Sequence, residues 1–208
     1  MATVTQLGSE IVPSLIWPGG PGSLDREPPT IEPDKHYEVV DGQIVEETPL
    51  GAYEAGLAGL LMLSIGNHAM SNGLGRVVPE MLFALRPSPR LRRRPDIAFV
   101  SQERWAIGRP IPREAAWNVI PDLAVEITSP TDLIDDLMDK LDEYFAAGVR
   151  LVWVVYPKHR RIYTYDSATS VRILQAGGEL DGGAVLPGFR LLLSSLFETA
   201  EDEPTPPA

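Results

Sequence analysis

The chain has 208 residues, of which 44% are hydrophobic, and it carries a formal net charge of −11 with no cysteine. A chain of this length builds a single core, and the lack of cysteine excludes disulfides, thiolate zinc sites and cysteine nucleophiles. The negative charge opposes general binding to nucleic acid, so such binding requires a local basic patch. Because no apolar run reaches the roughly 20 residues of a membrane span and no secretory signal is visible, we expect a cytoplasmic protein without membrane contact.

Proline content divides the sequence into three parts. Residues 1–35 contain six prolines and a Gly19-Gly20 pair, which resists both helix and central strand, and we interpret them as an N-terminal arm. Residues 199–208 are acidic and proline-rich, which is typical of a flexible tail. We therefore expect the folded domain to span residues 36–198.

The first predicted elements of this domain are a hairpin, a helix and a strand. Short β-prone runs at 37–40 and 43–46 flank Asp41-Gly42, a strong signal for a tight hairpin turn. Residues 52–71 are mostly apolar and predict a helix that lies against a sheet. A single strand is expected from 76 to 85, because its residues alternate between two faces.

The second half of the domain predicts a strand, a helix and a further strand in succession. Apolar residues recur at helical spacing from Leu133 to Phe145, in a helix that is capped by Thr131 or Asp132 and ends at Gly148. This succession is typical of a crossover unit, and it predicts an α/β fold with a mixed sheet flanked by helices. The remaining strands are expected at 96–100, 123–127, 149–156 and 162–165.

Two carboxylates interrupt apolar strands. Asp96 opens the run Ile-Ala-Phe-Val, and Glu126 lies within Leu-Ala-Val-Glu-Ile. Burying an ionised carboxylate in such a place is costly unless a cation or hydrogen-bond donors compensate it, and a pair of carboxylates suits Mg²⁺. In the alternative interpretation Asp96 is a turn residue after Pro95, and Glu126 pairs with an arginine.

Lys140 falls at the edge of the apolar stripe of the predicted helix, beside Leu137 and Tyr144. From there its aliphatic stem can cover the sheet while its ammonium group reaches a polar pocket. The alternative is a solvated lysine that pairs with Asp136, four residues earlier on the helix.

Five arginines cluster immediately before Pro95-Asp96. Such a cluster would neutralise phosphates and hold nucleic acid against the two carboxylates. The alternative is a solvated loop that balances the charge of an acidic domain. The five are Arg86, Arg90, Arg92, Arg93 and Arg94.

In this order, the features resemble the Uma-type family of restriction-endonuclease-like proteins, a branch of the PD-(D/E)XK nuclease superfamily. The resemblance covers about residues 37–197 and implies a restriction-endonuclease-like fold. It depends on four segments taken together, because each alone is weak. They are YEVVDGQIVEETP at 37–49, RPDIAFVS at 94–101, PDLAVEITSPTDLIDDLMDKLDEYFAAGV at 121–149 and LVWVVYP at 151–157.

The resemblance implies a nuclease centre. In it, Asp96 and Glu126 hold Mg²⁺ or Mn²⁺, and Lys140 orients or activates the attacking water. The superfamily's lysine usually stands two positions after the glutamate, where this chain has Thr128. In the Uma-type branch the following helix supplies the lysine, and Lys140 occupies that position here.

The family also places an earlier acidic residue near the metal. Glu80 is our first choice for this position, because the strand that carries it is expected to neighbour Asp96. Glu54 and Glu47 are the alternatives, and Glu80 is equally compatible with a surface carboxylate at a sheet edge after Pro79.

Two functions remain as hypotheses. The first is a metal-dependent endonuclease that hydrolyses phosphodiester bonds of nucleic acid, with DNA as the favoured substrate. The second is a non-catalytic binding or scaffold protein with a nuclease fold, which the net charge of −11 supports. A homodimer is compatible with both. A serine hydrolase and a dinucleotide-binding protein are disfavoured, because neither G-x-S-x-G nor a G-x-G-x-x-G after a predicted strand is present.

Overall fold

The computed structural model describes residues 36–85, 90–130 and 132–197. The predicted arm at 1–35 and the predicted tail at 199–208 lie outside the described residues. The helices are α1 (Ala52–Ser71), α2 (Ile134–Ala147) and α3 (Leu193–Phe197), with a 3-10 helix at Pro157–His159. The strands are β1 (Tyr37–Val40), β2 (Gln43–Glu46), β3 (Gly75–Pro79), β4 (Phe83–Ala84), β5 (Arg92–Arg93), β6 (Ile97–Ser101), β7 (Leu123–Ile127), β8 (Leu151–Tyr156), β9 (Arg161–Ser167), β10 (Ser170–Leu174), β11 (Glu179–Asp181) and β12 (Arg190–Leu192).

A six-stranded sheet with the order β10-β9-β8-β7-β6-β3 forms the centre of the fold. Its strands pair antiparallel except for β7 and β8, which run parallel and are joined by α2. Parallel neighbours require such a crossover, so the predicted unit and the mixed sheet are confirmed. The predicted end of α2 at Gly148 is also confirmed, with a left-handed φ of 101°.

The two faces of the central sheet are covered by different helices. On one face, α1 packs through Leu57, Leu61 and Ile65, as the apolar composition of this helix predicted. On the other face, α2 packs through Leu141 and Tyr144. Within the described ranges, no helix has both the length and the apolar character that crossing a membrane requires.

The predicted N-terminal hairpin is confirmed and belongs to a second sheet. β1 and β2 pair antiparallel around Asp41 and Gly42, whose φ angles of 53° and 78° fit a tight hairpin turn. β1 also pairs with β5, which gives the order β2-β1-β5-β4. Because β6 follows β5 after only three residues, this sheet holds the hairpin beside the position where Asp96 enters the central sheet.

The single strand predicted from 76 to 85 is wrong. The structure divides this segment into β3 and β4, which belong to different sheets. Pro79 has no N–H to continue the ladder, and Glu80 adopts a left-handed φ of 43° that turns the chain. The N–H of Glu80 donates to the carbonyl oxygen of Asp96 at 3.0 Å, which fixes the turn.

The beginning of α2 also differs from the sequence prediction. The helix begins at Ile134, and its N-cap is Leu133, which makes no side-chain capping bond. The Asp132 carboxylate instead accepts the N–H of Ser129 at 2.8 Å and its hydroxyl at 2.6 Å, while Thr131 lies outside the described residues. Leu133 and Ile134 are 66% and 78% exposed, so the first turn of the predicted apolar stripe does not join the core.

Gly75 opens β3 against β6, and it provides a test of this packing. A Cβ atom at Gly75 would lie 2.8 Å from the Cα of Ser101, on a strand buried in the sheet. We expect Gly75→Ala to lower the free energy of unfolding by about 1–3 kcal/mol. Gly59 lies at an exposed position of α1, and a Cβ added there meets no atom within 4 Å. We expect Gly59→Ala to raise the free energy of unfolding by up to about 1 kcal/mol. Urea unfolding measures both, and equal effects would contradict the described pairing of β3.

Candidate active site

Two carboxylates meet where β6 and β7 pair. In their antiparallel register Ile97 faces Val125, so one further step sets Asp96 opposite Glu126. Residues opposite one another on neighbouring strands project from the same face of the sheet. That face carries Ala98 and is covered by α2. The structure thus brings together the two carboxylates that the sequence singled out.

α2 places Lys140 and Tyr144, which are one helical turn apart, over this pair. The Lys140 Nζ lies 3.4 Å from Glu126 Oε2, 3.0 Å from Glu47 Oε1 and 3.3 Å from Glu38 Oε1. The Tyr144 hydroxyl donates to Glu126 Oε1 at 2.6 Å. Because the Lys140 side chain is only 17% exposed, the solvated alternative does not apply.

The N-terminal hairpin supplies the other two carboxylates of the cluster. Glu38 lies on β1 with its side chain 2% exposed, and Glu47 directly follows β2. Sequence reasoning missed Glu38 and ranked Glu47 behind Glu80. The signal for Glu38 was present, because it interrupts the run Tyr-Glu-Val-Val in the same way as Glu126 interrupts its own strand.

Arg93 offsets the charge of Glu38 at the carboxylate oxygen that Lys140 does not contact. Its Nη1 lies 2.6 Å from Glu38 Oε2, and its Nε donates to Glu143 Oε2 at 2.5 Å. The backbone N–H of Arg94 donates to Glu38 Oε1 at 2.8 Å. A row of alternating charges results, and it consists of Glu143, Arg93, Glu38, Lys140 and Glu126.

Burial raises the pKa of Asp96, Glu47 and Glu126. Desolvation, together with repulsion from Glu126, raises the pKa of Asp96 to about 8. Desolvation also raises the pKa of Glu47 to about 7, although Lys140 opposes the shift. For Lys140, burial lowers the pKa, but the attraction of Glu126, Glu38 and Glu47 outweighs it and raises the pKa above its usual value. The lysine therefore stays protonated at neutral pH.

The pocket that these residues line has a volume of about 370 Å³ and an excess of negative charge. Lys140 and Arg93 are the cations among its lining residues, and they face four carboxylates of the cluster and several more at the rim. When all four carboxylates of the cluster are ionised, they carry two more charges than Lys140 and Arg93 offset, and a divalent cation would supply these two charges. The carboxylates of the cluster are Asp96, Glu126, Glu38 and Glu47.

The oxygens of Asp96 and Glu126 fit such a cation. The N–H of Ile127 donates to Asp96 Oδ2 at 2.6 Å, and Tyr144 donates to Oε1 of Glu126. Oδ1 of Asp96 and Oε2 of Glu126, which also accepts from Lys140 at 3.4 Å, have lone pairs for a metal. Two hard oxygen ligands with waters completing an octahedron suit Mg²⁺. Within the described ranges, no three acidic or histidine side chains form a complete metal-binding group. Water and substrate would therefore supply the remaining ligands.

The structure changes the order of preference for the early acidic residue. The Glu80 carboxylate is 42% exposed and lies 3.7 Å from Nδ1 of His36, because the left-handed turn directs it away from the pocket. Glu54 lines the neighbouring cavity and not this pocket. Of the three alternatives, Glu47 is the one that lines the pocket together with Asp96.

The described arginines of the cluster offer less positive surface than the sequence predicted, although Arg90 is exposed. Arg93 is buried between two carboxylates, Arg94 donates to backbone carbonyls at 2.6 and 3.3 Å, and Arg90 donates to a carbonyl of the hairpin turn. Arg92 is half-buried on β5, and Arg86 lies outside the described residues. The physical reason is that β5 pairs with β1, which turns these side chains toward carboxylates and carbonyls of the protein itself.

The mixed sheet, its flanking helices and the acidic pocket at β6 and β7 define an α/β protein of the nuclease-fold class. A crystal structure described as a putative nuclease belonging to DUF820 from Anabaena variabilis has this fold, with a TM-score of 0.66 at 16% sequence identity over 79% of this chain and 90% of that chain. The model of the Uma2 family, described as "Putative restriction endonuclease", matches residues 23–194. The chain belongs to this family, which supports a nuclease-type function and confirms the resemblance drawn from the sequence. No curated protein matches the chain.

The raised pKa of Asp96 predicts how stability depends on pH in the metal-free protein. Its pKa is about 8 in the folded state and about 3.9 in an unfolded chain, so between these values the folded state binds more protons. The free energy of unfolding therefore falls as the pH rises from about 4 to 8, and Glu47 acts in the same direction.

Denaturant titrations at several pH values measure this dependence. We expect Asp96→Asn to flatten the slope by up to about one proton between pH 5 and 8. Asp142→Asn, at an exposed position of α2, leaves the slope unchanged. Identical slopes in the wild type and in Asp96→Asn would show that Asp96 ionises without a burial cost.

Proposed function

We propose that this protein is a metal-dependent endonuclease that hydrolyses phosphodiester bonds of nucleic acid, with DNA as the favoured substrate. The observation that carries the proposal is the uncompensated negative charge around Asp96 and Glu126. Without a metal, the ionised carboxylates of this pocket repel a phosphodiester anion. With a divalent cation, the same carboxylates become its ligands and the local potential turns in favour of phosphate.

Asp96 and Glu126 would hold Mg²⁺ or Mn²⁺ through Oδ1 of Asp96 and Oε2 of Glu126. The bound ion would generate hydroxide from water and stabilise the charge that develops on the phosphate. The Tyr144 hydroxyl and the Ile127 N–H fix the orientation of the two carboxylates, which is the usual role of hydrogen bonds to metal ligands.

Lys140 would act as a hydrogen-bond donor to the scissile phosphate and not as a base, because its raised pKa keeps it protonated. Its Nζ lies 3.4 Å from Glu126, so it can reach a group bound to the same metal. Glu47 and Glu38 hold the ammonium group in this place at 3.0 and 3.3 Å. A donor fixed in advance costs little reorganisation during the reaction.

A non-catalytic binding or scaffold protein is the second candidate. The net charge of −11 and the inward-facing arginines, which leave less positive surface for nucleic acid, favour it. It differs from the first candidate in one outcome, since it predicts metal binding without turnover.

Metal binding itself provides a direct test. We expect millimolar Mg²⁺ or Mn²⁺ to raise the melting temperature, since a ligand that binds only the folded state stabilises it. At pH 7 binding should also release protons, because the cation lowers the pKa of Asp96. Calorimetry in two buffers of different ionisation enthalpy measures this release. Glu126→Gln should weaken both effects, and a scan that millimolar metal leaves unchanged would contradict a preformed site.

Cleavage assays test the role of Lys140. With saturating metal, Lys140→Ala should lower the rate of plasmid or oligonucleotide cleavage on the order of a hundredfold or more, because a donor to the developing charge is lost. Asp142→Asn on the exposed side of the same helix serves as the matched control and should cleave at the wild-type rate. Full activity of Lys140→Ala would exclude this role, and an inactive wild type with intact metal binding would favour the non-catalytic candidate.

A further inference from the structure

A second cavity, of about 250 Å³, lies directly beside the candidate active site. Before α2, residues 128–130 and 132–133 line it, together with the first turn of α2 and the end of β8 with its 3-10 helix. The two cavities share four lining residues, so a ligand can extend from one into the other. The shared residues are Ser129, Asp132, Leu133 and Leu137.

The walls of this cavity are largely apolar and include one aromatic ring. Leu133 and Ile134, which the core leaves exposed, form one side together with Leu137. Tyr156 also lines the cavity, and its ring centroid lies 4.6 Å from that of Tyr163 at an interplanar angle of 51°. Exposed apolar residues grouped in this way mark a binding surface more often than scattered ones do.

The charge of the cavity differs from that of the neighbouring pocket. Lys158 and His159 are exposed at its rim, in a chain with a net charge of −11. Of the two acidic residues in its lining, Asp132 is held by the N–H and hydroxyl of Ser129, and Glu54 lies across on α1. The cavity is thus suited to a flat, uncharged ring whose attached anion lies near the ammonium group of Lys158.

We propose that this cavity binds one unpaired nucleobase of the substrate strand, next to the phosphodiester that enters the active site. The inference rests on the proposed nuclease function and specifies its substrate as nucleic acid with unpaired bases. Tyr156 stacks on the base, Leu133 and Ile134 cover its opposite face, and Lys158 contacts the adjoining phosphate. Stacking of this kind depends little on sequence, because every base has a π-face.

Electrostatics favours an unpaired strand over a duplex. Binding of a duplex derives mainly from phosphate contacts, and the described part of the arginine cluster is directed toward protein groups. An apolar cavity instead binds a base through apolar contacts and stacking. The bases of a duplex cannot make these contacts, because they are stacked on one another. An unpaired base exposes both faces and gains by burying them.

Binding experiments on the full chain test the proposal independently of turnover. The probe is a fluorescein-labelled single-stranded oligodeoxynucleotide, compared with its blunt duplex. Both are titrated at saturating Mg²⁺ against Lys140→Ala, which keeps both metal ligands and is expected to cleave slowly. In this background we expect Tyr156→Ala and Ile134→Asp each to weaken binding of the single strand roughly tenfold. Tyr156→Phe retains the stacking ring and should bind normally. Ile173→Asp, at an exposed isoleucine of β10 outside both cavities, is the matched control.

The outcomes separate this inference from the proposed function. Loss of single-strand binding in Tyr156→Ala and Ile134→Asp, with Tyr156→Phe and Ile173→Asp unaffected, supports the base site, even if the wild type cleaves nothing. Equal binding by all variants overturns it, even if the wild type cleaves nucleic acid with metal. Duplex binding that matches the single strand in strength and shows the same losses also overturns it.

Discussion

The shared contact of the Lys140 ammonium group with three carboxylates is the interaction on which the candidate site depends. Glu126 reaches it from the central sheet, whereas Glu38 and Glu47 reach it from the hairpin. Taking each of these charges out of water costs several kcal/mol, and only close pairing and additional hydrogen bonds offset that cost. An apolar cluster of the same shape would stabilise the fold at least as well, so the retained charges indicate a function more than a need for stability.

The same constraint accounts for the arginines. An acidic chain that gathers four carboxylates at one site, two of them buried and two half-buried, needs cations nearby, and Arg93 serves this purpose through Glu38 and Glu143. Each arginine used inside the fold is lost to the surface that would attract phosphate. Under the proposed function, a bound cation and contacts to bases would therefore replace part of the positive surface that usually attracts nucleic acid.

Local rules were sufficient to predict much of the fold and the centre of the site. The Asp41-Gly42 turn, α1, the buried runs of β6 and β7 and the crossover helix all follow from turn chemistry or hydrophobic period. The helical wheel also placed Lys140 beside the sheet. The sequence predictions were wrong where contacts between residues far apart in the chain determine the local structure. The break at Glu80 depends on a hydrogen bond to Asp96, and the choice of Glu47 over Glu80 depends on how the hairpin docks against α2, which no short sequence pattern encodes.

Glu38 and Glu47 join the hairpin to α2 through Lys140. Opening of the hairpin would therefore be coupled to cation binding at Asp96 and Glu126. When β1 and β2 separate from α2 in a partial unfolding event, Glu38 and Glu47 leave Lys140, and the lysine then neutralises Glu126 alone. The affinity of the Asp96 and Glu126 pair for a cation changes with that opening. By thermodynamic reciprocity, a bound cation changes the opening free energy of the hairpin by the same amount. Under the proposed function, the exchange rate of the β1 amide hydrogens would therefore change with metal concentration.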